Sequence, residues 1–146
     1  DFIDNIAKEI GAVNTIVNKS GKLFGYNTDF YGLKSLIEKN DIDIIAESYK
    51  KNPELVNTLV NMRTNISGTS APRFDAIQIR AIVNESEHDL ETVKQLIQSK
   101  NITGNYTYEA ADIINITNYY KNTNMRLFIT ATTEETDFIN SKEKQQ

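Results

Sequence analysis

Between Gly11 and Asp29 the sequence leaves the backbone few options. Val13, Ile16 and Val17 are β-branched and fall together in residues 12–18. The turn Lys19-Ser20-Gly21-Lys22 follows, and residues 23–26 form a second apolar stretch. β-branched side chains favour extended backbone, and a glycine in a short connection accepts the positive φ that reverses a strand, so this segment predicts a β-hairpin. Asn27-Thr28-Asp29 then offers side-chain oxygens to the first free N–H groups of a helix. Phe30, Leu33, Leu36 and Ile37 give that helix an apolar stripe that runs out near Asn40.

Around this hairpin the periodicity is mostly helical. Phe2, Ile3, Ile6 and Ile10 predict a helix over residues 2–10, stopped by Gly11. Residues 41–45 form a short apolar run that reads as a strand. Asn52-Pro53-Glu54 combines a capping residue, a proline at the first helical position and an acid in the first turn, which predicts a helix carrying Leu55, Leu59 and Met62 on one face. Residues 65–72 are rich in Ser, Gly, Thr and Pro and read as a loop. Residues 76–83 alternate, with Ile77, Ile79, Ala81 and Val83 on one side and Gln78 and Arg80 on the other, and read as a strand. Ser86 with Asp89 resembles a capping box before a helix bearing Leu90, Val93, Leu96 and Ile97. Residues 106–120 fit both periods, with helix the preferred reading; residues 126–131 read as a strand and 132–139 as a final helix. The sum is an α/β fold, a small mixed sheet with flanking helices.

Composition narrows the chemistry. The formal net charge of −4 argues against a nucleic-acid partner, which asks for a basic surface. The chain has no cysteine, which rules out disulfides and thiolate metal sites. No apolar run approaches the ~18 residues that span a bilayer, and no signal-peptide pattern is present. The expectation is a cytoplasmic protein without membrane or nucleic-acid partners. The chain starts at Asp1 inside a helical pattern, and the expectation there is a fragment.

The motifs Gly11-Ala12-Val13-Asn14-Thr15 and Gly25-Tyr26-Asn27-Thr28-Asp29, with Gly21-Lys22-Leu23 between them and Ala7-Lys8-Glu9-Ile10 upstream, carry a resemblance. Residues 1–44 are similar to the substrate-binding half of shikimate dehydrogenase, with both motifs in that family's order and spacing. The resemblance implies NADPH-dependent reduction of 3-dehydroshikimate to shikimate. It also implies that Asn14 and Asp29 contact the substrate and that Asp29 is one member of a catalytic Lys–Asp pair. A hydroxylated ring acid needs such polar partners, because an analogue lacking a hydroxyl leaves them unsatisfied, and the alkoxide formed by hydride addition must be protonated.

The chain departs from the family in three ways. It has no V-T-I-P-x-K segment to supply the Lys, no upstream serine loop for the substrate carboxylate, and no Gly-rich dinucleotide turn after Ile44, where Ile45-Ala46-Glu47-Ser48-Tyr49-Lys50 follows instead. NADP is thus implied by the family only, with no cofactor held by this chain. The expected division is residues 1–44 as the shikimate dehydrogenase-like segment and 45–146 as a small α/β unit of unknown role. The function expected is a partial shikimate dehydrogenase-like protein, inactive alone; the alternative is a non-enzymatic binding or interaction module with a protein partner on residues 45–146.

Three further features have simpler readings. Ser67-Gly68-Thr69-Ser70-Ala71-Pro72-Arg73 could cradle an anion but reads as an ordinary loop. His88, among Glu85, Glu87 and Asp89, reads as a solvated helix start, because neighbouring helical residues do not face one ligand. Tyr106, Tyr108, Tyr119 and Tyr120 read as core or partner surface in the absence of a basic patch.

Overall fold

A computed structural model describes residues 1–122 of the 146-residue chain. It is α/β, with small sheets flanked by helices, and its described residues divide into two compact units, the first Asp1–Val83 and the second beginning at Asn84. The expected strand at 126–131 and helix at 132–139 lie outside the described residues.

The first unit is built on the predicted hairpin. Strands β2 (Thr15–Lys19) and β3 (Lys22–Tyr26) pair antiparallel in full register from Thr15↔Tyr26 to Lys19↔Lys22. Ser20 and Gly21 turn the chain with φ of 53° and 85°, the two consecutive positive values that a tight hairpin connection requires. Asn18 steadies the turn by accepting a 2.9 Å hydrogen bond from the Gly21 N–H.

Phe2 and Ile3 are not helical as expected. They form strand β1 (Phe2–Ile3), parallel to β3, giving a mixed sheet in the order β1-β3-β2. The Phe2 and Phe24 rings stack at 5.1 Å, and the Asp4 N–H donates to the Gly25 carbonyl at 2.9 Å. Asp4 is also the cap that starts α1 (Asn5–Ile10), its carboxylate accepting from the Ile6 N–H. A capping acid between the apolar pairs fixes the helix start three residues later than hydrophobic spacing alone suggests. Gly11, at φ 80°, ends α1 with a left-handed cap.

Helix α2 (Thr28–Lys34) is capped by Asn27, whose side chain accepts from the Phe30 N–H at 3.1 Å. It stops at Lys34, short of Asn40, and Leu36 is exposed, so its apolar stripe is Phe30 and Leu33. A short 3-10 turn, Lys39–Asp41, leads directly into α3 (Ile42–Lys51). The strand expected at residues 41–45 is therefore the first turn of a helix. Its buried side chains, Ile45, Ala46, Ser48 and Tyr49, show the 3.6 period only when the window extends past Ile45. Asn52 closes α3 and caps α4 (Pro53–Asn61), accepting from the Leu55 N–H at 3.0 Å. α3 packs against both α1 and α4.

Residues 65–72 are not a loop. Strands β4 (Arg63–Ile66) and β5 (Thr69–Pro72) form a second hairpin around Ser67 and Gly68, again with two positive φ values. Only Thr64 and Ala71, which face each other, are half-buried. An exposed ribbon of this kind has no hydrophobic alternation to betray it. Residues 76–83 are likewise not a strand but belong to α5 (Ala76–Ser86), with Ala76, Ile79, Ile82 and Val83 buried and Ile77 exposed. Asp75 and Gln78 exchange hydrogen bonds between backbone N–H and side-chain oxygen at 2.8 and 2.9 Å, a capping box that settles the competition between the two periods.

In the second unit Asp89 itself caps α6 (Leu90–Gln98), accepting from the Thr92 N–H, while Ser86 ends α5. Helix α7 (Ala110–Asn122) packs on α6 and buries Ile113, Thr117 and Tyr120.

The helical assignment of α3 has a direct test. Glu47 is exposed in the middle of α3, so Glu47→Pro removes a helix hydrogen bond without disturbing packing. It is expected to cost about 3 kcal/mol in denaturant unfolding; a cost near zero would contradict the helix.

Candidate functional site

The two motifs meet where the open end of the β2–β3 hairpin reaches the start of α2. The Asn14 N–H donates to the Tyr26 carbonyl at 3.0 Å, which extends the hairpin pairing by one rung. The Asn14 side chain then crosses to α2: its Oδ1 accepts from the Thr28 N–H at 2.9 Å, from the Thr28 hydroxyl at 3.0 Å and from the Thr15 hydroxyl at 3.1 Å. The Thr15 and Thr28 hydroxyls lie 3.1 Å apart. Asn14 and Asp29 are thereby brought within one residue of each other, at an exposed position.

This geometry fixes the orientation of the Asn14 amide. The Thr28 backbone N–H can only donate, so the oxygen must face it and the NH2 group points away. Asn14 Nδ2 makes no hydrogen bond to the described protein and is free to donate outward. Asp29, in the first turn of α2, is exposed and likewise makes no hydrogen bond or ion pair within the described residues. The site thus offers an amide donor beside a carboxylate acceptor, a pairing suited to adjacent hydroxyls of a polar ring.

Beneath these groups the packing is tight. Asn27 is 5% exposed and its amide donates to the Ala12 carbonyl at 3.4 Å while its oxygen caps α2. A Cβ at Gly25 would stand 3.1 Å from both Val13 methyl groups, so the second motif needs glycine there to seat the first. Phe30 is fully buried and meets the ring of Tyr49, on α3, edge-on at 5.2 Å. Burial, and then the charge of Asp29, push the Tyr49 phenol above its ordinary value.

Thr15, Thr28 and Tyr49 were not among the site residues expected from sequence. The Asn-Thr dipeptide that recurs in both motifs is the signal for the first two, since the register Thr15↔Tyr26 places both dipeptides at one end of the sheet. Tyr49 lies past the matching motifs and had no such signal.

The other candidates do not converge. Arg63 is spent on Ser70, through Nε to the hydroxyl at 3.2 Å and through NH2 to the carbonyl at 3.1 Å, and Arg73 lies 4.6 Å over the Phe74 ring. The Ser67–Arg73 stretch is therefore a hairpin tip with its cations folded back. His88 is exposed in the turn between α5 and α6, and no group of three acidic or histidine ligands forms among the described residues. Tyr108 and Tyr120 are buried, Tyr119 packs edge-on to Tyr120 at 5.2 Å, and Tyr106 lies under Lys100. No helix among the described residues is long and apolar enough to cross a membrane.

Removal of the Asn14 acceptor leaves the Thr28 N–H without its partner. Asn14→Ala is expected to lower stability by about 1 kcal/mol and to speed amide exchange at Thr28 more than at Phe30, read by NMR hydrogen exchange.

Comparison with known proteins agrees with the motifs over the same fraction of the chain. The shikimate dehydrogenase (NADP(+)) of Clostridium perfringens strain SM101 is 51% identical over 49 residues, 34% of this chain and 18% of that enzyme. That of Dehalococcoides mccartyi strain CBDB1 is 62% identical over 42 residues, 29% of this chain and 15% of the enzyme. That of Halothermothrix orenii is 66% identical over 38 residues, 26% of this chain and 13% of the enzyme. No family model and no solved structure matches. The matched stretch spans under a fifth of these relatives, so the chain carries a shikimate dehydrogenase-like segment over about a third of its own length.

Proposed function

We propose that the first unit carries a partial shikimate dehydrogenase-like substrate site, in which Asn14 Nδ2 donates to, and the Asp29 carboxylate accepts from, neighbouring hydroxyls of a shikimate-like ring acid. The observation that carries this reading is the Asn14–Thr28 junction, which leaves one donor and one acceptor of the two motifs unspent and adjacent. In the family reaction Asp29 would be the catalytic acid partner of a lysine, with NADPH as hydride donor. The V-T-I-P-x-K lysine and the Gly-rich dinucleotide turn do not occur in these 146 residues. Binding without turnover is the activity that fits this chain alone, in a cytoplasmic setting.

A second reading, an α/β interaction module that contains an enzyme-derived segment, is favoured by one observation. The three matches above cover 38 to 49 residues, while Ile3, Ile16 and Leu23, on one face of the sheet by register, are 49%, 67% and 43% exposed.

Titration of the labelled protein with shikimate separates the two. The proposal expects saturable shifts at the Asn14, Thr28 and Asp29 amides, no NADPH formation with shikimate and NADP, and binding about tenfold or more weaker in Asp29→Ala, the loss of a charged hydrogen bond. Unmoved Asn14 and Asp29 signals at saturating shikimate would sink it and leave the interaction reading.

A further inference from the structure

We propose that Tyr49 is a third ligand-contacting residue of this site, its phenol hydroxyl donating a hydrogen bond to the same ring ligand that Asn14 and Asp29 address. The inference rests on the reading of that site given above, and extends it to a residue on α3, beyond the motifs that carry the family resemblance.

The ring of Tyr49 is held by packing. It is 7% exposed and meets the fully buried Phe30 edge-on at 5.2 Å, with ring planes 75° apart. Phe30 directly follows Asp29 in the first turn of α2, so the contact that locks the Tyr49 ring also sets its distance from the carboxylate. Burial, and then the charge of Asp29, push the phenol above its ordinary value. The Tyr49 hydroxyl makes no hydrogen bond to the described protein, and it is not among the fully enclosed unsatisfied polar atoms, so a buried ring ends in an open hydroxyl. A phenol in an otherwise buried ring ordinarily finds a partner. Here the ring is rigid, the hydroxyl reaches solvent, and burial, together with the charge of Asp29, keeps it protonated and therefore a donor. Asn14 and Tyr49 then supply two donors and Asp29 the acceptor, which reads a ring bearing more than one oxygen.

The experiment uses the full chain with tyrosines labelled at the ring carbon bearing oxygen. Shikimate is expected to shift the Tyr49 signal along with the Asn14 and Asp29 amides. Tyr49→Phe, which keeps the ring against Phe30, is expected to bind shikimate about fivefold more weakly, the loss of one neutral hydrogen bond, with its melting temperature unchanged. Asp29→Asn is expected to lower the pH at which the Tyr49 phenol ionises. Equal affinity in Tyr49→Phe, or a Tyr49 signal unmoved while the Asn14 and Asp29 amides respond, would overturn the role of Tyr49 and leave the two-residue site standing. Absence of any response at Asn14 and Asp29 would remove both. If Tyr49→Phe fails to fold, the Tyr49 signal of the unaltered chain decides.

Discussion

The carboxamide oxygen of Asn14 joins a sheet to a helix, and the rest of the site depends on that junction. It satisfies the Thr28 N–H, one of the first N–H groups of α2, which has no intrahelical partner, from the residue that leads into β2. Asn27 satisfies another, at Phe30. Two asparagines, one from each motif, therefore cap a single helix start, and both must be oriented oxygen-inward to do so. The consequence for chemistry is direct. The Asn14 amide that remains points outward as a donor, and the carboxylate of Asp29, one residue past the bonded N–H, stays free of protein partners.

The junction is supported from below by side chains rather than backbone. Gly25 lets Val13 approach, the Asn27 amide holds the Ala12 carbonyl, and the pair Phe30–Tyr49 couples α2 to α3. α3 begins at Ile42 and so continues through the point where the resemblance to the dehydrogenases gives out. The buried side chains of its second half, Ser48 and Tyr49, belong to the same packed unit as the hairpin. Whatever the history of the two stretches of sequence, the motif segment and the residues that follow it share one core.

Legibility of the fold followed the range of the interactions. Caps and turns were readable, because Asn27, Asn52 and Gly21 act on residues within three positions of themselves. Residues 76–83 misled because Ile77, Ile79, Ala81 and Val83 alternate while Ala76, Ile79, Ile82 and Val83 also fall at helical spacing. Only the Asp75–Gln78 exchange, itself local, separates the two. Residues 65–72 misled for the opposite reason: a solvent-exposed ribbon buries one pair of side chains and needs no apolar pattern. In the candidate site, Asn14 and Asp29 were legible as parts of motifs, while the contacts of Thr15 and Thr28 with Asn14, and of Tyr49 with Phe30, became visible only with the pairing of strands and the docking of α3.

The sequence by itself determined where the first hairpin turns, where α2 and α4 begin, and which segment resembles the dehydrogenases, because each of these is written in residues close together along the chain. The tertiary structure alone decided that Phe2 and Ile3 leave the helical pattern to pair with β3, that the two Asn-Thr dipeptides meet, and that Tyr49 stands against Phe30. Those outcomes depend on burial and hydrogen bonding between residues from about a dozen to more than twenty positions apart. Hydrophobic period and capping chemistry, which report only on near neighbours, do not encode which distant partner is chosen.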